Sequence, residues 1–252
     1  MNPFFLGLDF DDPPPFEVTE GGRSEFVIVC DHAGRRMPQG LGSLGLAASE
    51  LERHIAWDIG AARLSLALAE RLEAWAILQT YSRLVIDCNR PLTSADSITR
   101  HSEDTIITGN LEVTAEEARL RAEHIFEPYH ARIRTELDAR AHEGRTSVLL
   151  FVHSFTPVYR RVARAWHAGV LYHNDSRLAL PLLEALRREP GLVVGDNEPY
   201  RASALTDYGL VEHAEKRGLP YVELEVRQDL IADAEGQALW AERLARLLMG
   251  LR

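Results

Sequence analysis

Four apolar runs of this chain end in, or carry, side chains that can bind a metal or move a proton. Residues 26–30 run into Asp31-His32, residues 84–86 lead into Asp87-Cys88-Asn89-Arg90, and residues 147–152 end in His153-Ser154. A late run carries Glu223, Glu225 and Arg227 in alternation with Leu224 and Val226. Such groups are costly beside a sheet core unless they are paired or coordinated. His32 and His153 suit a metal, because neutral imidazole is a common zinc ligand, although by residue type alone hydrogen-bonded histidines at strand ends are the commoner case. A catalytic zinc usually has three protein ligands and one open position. The third ligand could be Asp58, with Asp31, His54 and His101 as competitors. Asp58 has a plainer reading too, as an acceptor for backbone N–H groups at a helix start.

Hydrolysis needs a group that can take and return a proton near the reacting centre, and Glu225 is the candidate general base. Glu223 points the same way and competes with it. Arg227, at i+2 on the same strand face, could orient Glu225 or simply pair with it. Arg83, Asn89 and Arg90 offer planar charged forks and an amide for a carboxylate. The alternative is an arginine that ties down a loop or pairs Asp87.

The elements that position these groups follow from periodicity. Continuous apolar runs at residues 26–30, 84–88 and 147–152 predict strands buried on both faces, with weaker strands at 170–172 and 192–194 and a further one at 221–226. Leu64, Leu68 and Leu72 mark a helix running from Asp58 to about Trp75. Thr114 and Glu117 match a capping box. The helical pattern that follows, Ala118 to Leu137, contains Pro128, which should kink or split it. Helices are expected at 176–188, near 207–217 and at the C-terminus. Alternating strands and helices predict a three-layer α/β/α protein with a mixed, largely parallel sheet. Residues 1–22, with three consecutive prolines, read as an irregular arm, and 23–252 as one domain.

Composition narrows the function classes. The net charge is −10 and no Lys/Arg-rich run stands out, so a nucleic-acid partner is not expected. No apolar run is long enough to span a membrane and no basic leader precedes one, so a cytoplasmic protein is expected. Cys30 and Cys88, both inside apolar runs, read as buried free thiols.

Taken in order, several segments resemble the N-formylglutamate amidohydrolase family. They are Cys30-Asp-His-Ala-Gly-Arg-Arg-Met-Pro38, Trp57-Asp58, Tyr81-Ser-Arg-Leu-Val-Ile-Asp-Cys-Asn-Arg-Pro91, Val152-His-Ser-Phe-Thr-Pro157 and Val222-Glu-Leu-Glu-Val-Arg-Gln-Asp-Leu-Ile231. That family is similar in turn to the zinc carboxypeptidases and to the aspartoacylase and succinylglutamate desuccinylase group. The resemblance implies a phosphorylase/hydrolase-like fold, one Zn2+ per chain and hydrolysis of a small N-acyl amino acid, N-formylglutamate in the first place. It implies His32 and His153 as zinc ligands with Asp58 as the third, and Glu225 as general base with Arg83 polarising the scissile carbonyl. Asn89, Arg90, Arg227 and Ser154 would hold the substrate. The sequence departs from the wider group at one place: its His-x-x-Glu ligand pair is absent, because Arg35 stands three residues after His32. Arg83 also sits one residue closer to the Asn-Arg pair than its counterpart. Two alternatives stay open: a zinc hydrolase of another N-acyl amino acid, and a non-catalytic binding protein that kept the fold.

Overall fold

The computed structural model describes residues 12–251. Seven strands form the main sheet: β1 (Phe16–Thr19), β2 (Phe26–Cys30), β3 (Trp75–Gln79), β4 (Val148–Phe155), β5 (Ala168–Leu171), β6 (Val194–Asp196) and β7 (Tyr221–Arg227). Their order is β1-β3-β2-β4-β7-β5-β6. Strands β3, β2, β4 and β7 are mutually parallel; β1 joins β3 antiparallel and β5 joins β7 antiparallel. The sheet is therefore mixed and largely parallel, as predicted.

Strands β2 and β3 are wholly buried, and β4 and β7 are buried but for one end residue each, because both faces are covered. On β2, Phe26, Ile28 and Cys30 face one apolar cluster, while Val27 and Val29 face the other. Helices α1 (Ala61–Leu72), α4 (Ala179–Arg187) and α5 (Ala234–Gly250) cover the first face. On the second face lie α2 (Ala115–Arg121) and α3 (Glu127–His142), joined by a π-turn over Ala122–Phe126. Pro128 is the second residue of α3, directly after the π-turn that separates it from α2, so the helical run changes its winding beside the proline. The capping box at Thr114 and Glu117 forms as expected. Among the described residues no helix is long and apolar enough to cross a membrane. Cys30 and Cys88 are buried and free.

Several expectations need correction. Residues 84–88 are not a strand; the second parallel strand is β3, which the helical pattern ending near Trp75 concealed. Leu84, Val85 and Ile86 are buried in a turn, and their run is apolar because it fills the core. Side chains replace the missing sheet neighbour here. Asn110 Nδ2 donates to the Leu84 carbonyl at 2.8 Å, Arg121 Nη1 to that of Val85 at 2.9 Å, and the His130 ring meets that of Cys88 at 2.9 Å. Buried backbone groups must be satisfied, and these three side chains do it without a ladder. The predicted N-terminal arm is not wholly irregular either, since Phe16–Thr19 forms the edge strand; residues 1–11 of that arm lie outside the described residues. The helix expected near 207–217 is present over residues 208–217, but it winds as a π-turn over Leu210–Ala214 and then one 3-10 turn after two α-helical residues.

One glycine governs how α1 meets the sheet edge. Gly60, with φ +84°, caps α1, and a Cβ there would lie 2.2 Å from the Ile231 carbonyl oxygen. Gly60→Ala is expected to lose roughly 2–4 kcal/mol, from left-handed strain plus overpacking. The urea midpoint should fall accordingly; an unchanged midpoint would show that the close approach is relieved cheaply.

Candidate metal centre

The carboxyl ends of β2, β3, β4 and β7 lie at one edge of the sheet, where ligands gather in open α/β folds. His32 follows β2 by two residues. His153 lies inside β4, and Glu225, on β7, is its register partner. That pairing sets the two backbones about 4.8 Å apart with both side chains on one face. Asp58 sits just before α1, its backbone N–H donating to the His32 carbonyl at 3.0 Å. Two turns of chain and two strands thus converge on one point.

The distances there are short. His153 Nδ1 lies 2.9 Å from Asp58 Oδ2 and 3.2 Å from His32 Nδ1; His32 Nδ1 lies 3.4 Å from Asp58 Oδ2. Tetrahedral ligands about 2.0–2.1 Å from one ion would be roughly 3.3 Å apart. The observed triangle fits that spacing, and the set of two imidazoles and a carboxylate suits zinc. It is the sole grouping of three such residues that the described residues bring within metal-binding reach. Asp58 does not cap α1: its Oδ2 accepts from the Ser154 backbone N–H at 3.3 Å and faces the histidines.

A carboxylate stands behind each imidazole. His32 Nε2 meets Asp87 Oδ1 at 2.7 Å, so this nitrogen carries the proton and Nδ1 is free to coordinate. Asp31 Oδ2 lies 3.6 Å from His153 Nε2, too far for a hydrogen bond but close enough for charge. Outer carboxylates of this kind orient ligating histidines and raise their basicity. Burial disfavours a charged His153, yet Asp31 and Asp58 against its two nitrogens hold its pKa well above the ordinary value. A metal would therefore displace a proton there. Asp58 is pushed low despite its burial, by His32 and His153. Asp87 is also low despite burial, held by Arg83 and His32. Asp87→Asn is expected to weaken metal binding by about 10–100-fold, because His32 loses its anchor. Competition against a chromogenic chelator measures it, and an unchanged affinity would remove Asp87 from the site.

These groups open onto a cavity of about 500 Å³ that Glu225, Glu223, Arg83, Asn89 and Arg90 also line. Burial, first, and the Asp58 charge push the Glu225 carboxyl up to about 8, against the pull of His153, Arg83 and Arg164. Its Oε2 is buried without a hydrogen-bond partner. Glu223 is raised as well, by burial and by Asp207. Cys30 lies close enough to feel these charges, but burial pushes its thiol up to about 12, so it is no nucleophile.

The other predicted residues divide. Arg83 donates through Nε and Nη2 to Asp87 at 3.1 and 2.7 Å, and its Nη1 lies 3.5 Å from Asp58 Oδ1. Arg90 donates to the Thr206 carbonyl, and Asn89 Nδ2 reaches Asp207 Oδ1 at 3.4 Å. Ser154 reaches the cavity, but its hydroxyl donates to the Ile59 carbonyl at 2.8 Å and so steadies the Asp58 turn. Arg227 is not brought in. It lies at the end of β7, where it pairs with Asp229 at 2.8 Å and donates to the carbonyls of Arg164 and Trp166. Of the competing ligands, Asp31 stands behind His153, while His54 and His101 line the cavity outside the triangle. Asp87, foreseen only as an arginine's partner, also holds His32. Tyr200, Arg201, Thr206 and Asp207 escaped sequence reading because no periodicity marks their loop. The arginines at 160, 161 and 164, just after His153, were the one available signal on that side.

A largely parallel α/β sheet with a histidine–carboxylate cluster and an acidic residue at its carboxyl edge defines a hydrolase-type site. The sequence profile of the N-formylglutamate amidohydrolase family matches residues 24–232, and the chain belongs to that family. Membership makes it a hydrolase of amide bonds. The chain is 35% identical to gene product Atu2144 from Agrobacterium tumefaciens, whose crystal structure superposes with a TM-score of 0.93 over 97% of each chain. The N-formylglutamate amidohydrolase from Ralstonia eutropha JMP134 shares the fold at 20% identity, with a TM-score of 0.72 over 94% of this chain and 97% of that one. No protein with a curated description matches the chain.

Proposed function

We propose that the protein is a zinc-dependent cytoplasmic amidohydrolase that cleaves N-formyl-L-glutamate, or a close N-acyl acidic amino acid, to the acid and the free amino acid. The observation that carries this reading is the triangle of His32 Nδ1, His153 Nδ1 and Asp58 Oδ2, open to a cavity that Glu225 also lines. A zinc ion held there would supply Lewis acidity, polarising the scissile carbonyl and acidifying a water.

The chain's own groups account for the rest. Glu225 takes a proton from the attacking water and passes it to the departing amine nitrogen as the C–N bond breaks. Its lack of a hydrogen-bond partner leaves Oε2 available for that proton. Arg83, clamped by Asp87, keeps its guanidinium beside Asp58 and helps stabilise the carbonyl oxygen as negative charge develops on it. Arg90 and Asn89 hold the α-carboxylate. The cavity's volume suits a small amino-acid derivative. Two free buried thiols suit a reducing compartment.

The test is a substrate panel of N-formyl-, N-acetyl- and N-succinyl-L-glutamate. The highest kcat/KM is expected for the formyl compound. Preference for acetyl or succinyl would move the assignment to another deacylase, and turnover of none would leave a binding protein.

A further inference from the structure

The cavity is lined by four arginines in a chain whose net charge is −10, so its potential is set locally and not by the whole surface. Two of the four are engaged: Arg83 by Asp87, Arg90 by the Thr206 carbonyl. No acidic group pairs with the guanidinium of Arg160 or of Arg201 among the described residues. Arg160 differs from Arg201 in its backbone. It and Arg161 form the two-residue connection of a small ribbon, Val158–Tyr159 paired with Val162–Ala163. Their φ values are +47° and +67°, whereas Arg201 has ordinary backbone. Such a turn needs left-handed backbone at both central positions, where Asn-Gly and Asp-Gly are at ease and arginine is not. Arg160 nonetheless sits there with its guanidinium stacked 5.4 Å from the Tyr159 ring centre, while its backbone N–H, not its side chain, donates to Glu103 at 3.3 Å. Strain retained at a cavity wall points to a function for the side chain that bears it. Arg161 shares the turn but does not line the cavity.

We propose that Arg160 is the specificity-determining residue that receives the side-chain carboxylate of the acidic amino acid. This deepens the reading of the cavity as an N-acyl amino-acid site and rests on it. A planar guanidinium, held by an aromatic ring on one face and unpaired at its edge, matches a carboxylate through two parallel hydrogen bonds. With Arg90 and Asn89 on the α-carboxylate, the cavity then has one cationic group for each of the substrate's two acids.

Two variants test this in the full-length zinc-loaded protein. Arg160→Asn places at the first turn position a residue that tolerates left-handed backbone; Arg161→Gly relaxes the second. Both are expected to melt no lower than the wild type, and by about 2 °C higher if the strain is released. Arg160→Asn alone should raise KM for N-formyl-L-glutamate about 10-fold or more, with kcat within about twofold and KM for N-formyl-L-glutamine unchanged. Calorimetry with L-glutamate and L-glutamine reads the same preference without turnover. The wild type should bind glutamate at least about 10-fold tighter, and Arg160→Asn should lose that margin. Equal effects on the acid and its amide, or none, overturn the proposal, as does a wild type that prefers neither amino acid. A glutamate preference that depends on Arg160 in a protein that hydrolyses no amide would support this inference and reject the proposed activity.

Discussion

Glu225→Gln is expected to lower kcat for N-formyl-L-glutamate by about 10²–10⁴-fold, the usual contribution of a positioned acid–base group. Metal content should remain at the wild-type level, because Glu225 is not one of the three donor atoms. Glutamine keeps the shape and the strand pairing with His153 but cannot accept and return a proton. Folding should survive, since the buried carboxyl is already unfavourable in its charged form: burial and Asp58 push it up to about 8. A bound cation nearby would lower that value, so kcat/KM is expected to fall on the acid side of a pKa below about 8. Full turnover in the glutamine variant would transfer the proton role to Glu223, which lines the same cavity.

The second large effect is expected from His153→Ala. This variant removes a donor atom that lies 2.9 Å from Asp58 and 3.2 Å from His32, leaving two ligands around the open position. The loss of metal affinity should exceed the about 10–100-fold expected when an outer partner is lost. Activity should fall to background at sub-stoichiometric zinc. The alanine also takes away the imidazole beside buried Asp31, while Asp58 keeps His32 and Arg83, and a buried charge stripped of its partner is strongly destabilising. A fall in stability is therefore expected alongside the loss of metal, and excess zinc should not restore it. If metal content and turnover persisted, the triangle would not be the metal centre.

How much could be read beforehand depended on the kind of order involved. Strands β2, β4 and β7 were legible because burial on both faces forces continuous apolar runs, and polar groups at their ends then stand out against that background. His32, His153 and Glu225 were found that way. Asp58 was harder, since an acid before a helix has an ordinary use there; only the fold shows its carboxylate turned to His153. Residues 84–88 misled because three buried side chains, Asn110, Arg121 and His130, satisfy carbonyls that a strand would pair, and nothing local announces such distant partners. Arg227 misled for the opposite reason. Alternation placed it beside Glu225, but the strand ends there and Asp229, two residues on, captures it. The cavity's far wall, residues 159–160 and 200–207, comes from loops whose positions are set by contacts between elements.

Metal analysis paired with turnover of N-formyl-L-glutamate by the same purified protein tests the central claim most directly. One zinc per chain is expected, with hydrolysis lost on chelation and regained when zinc is returned. A rigorously metal-free protein that still hydrolyses the substrate at the full rate would contradict it.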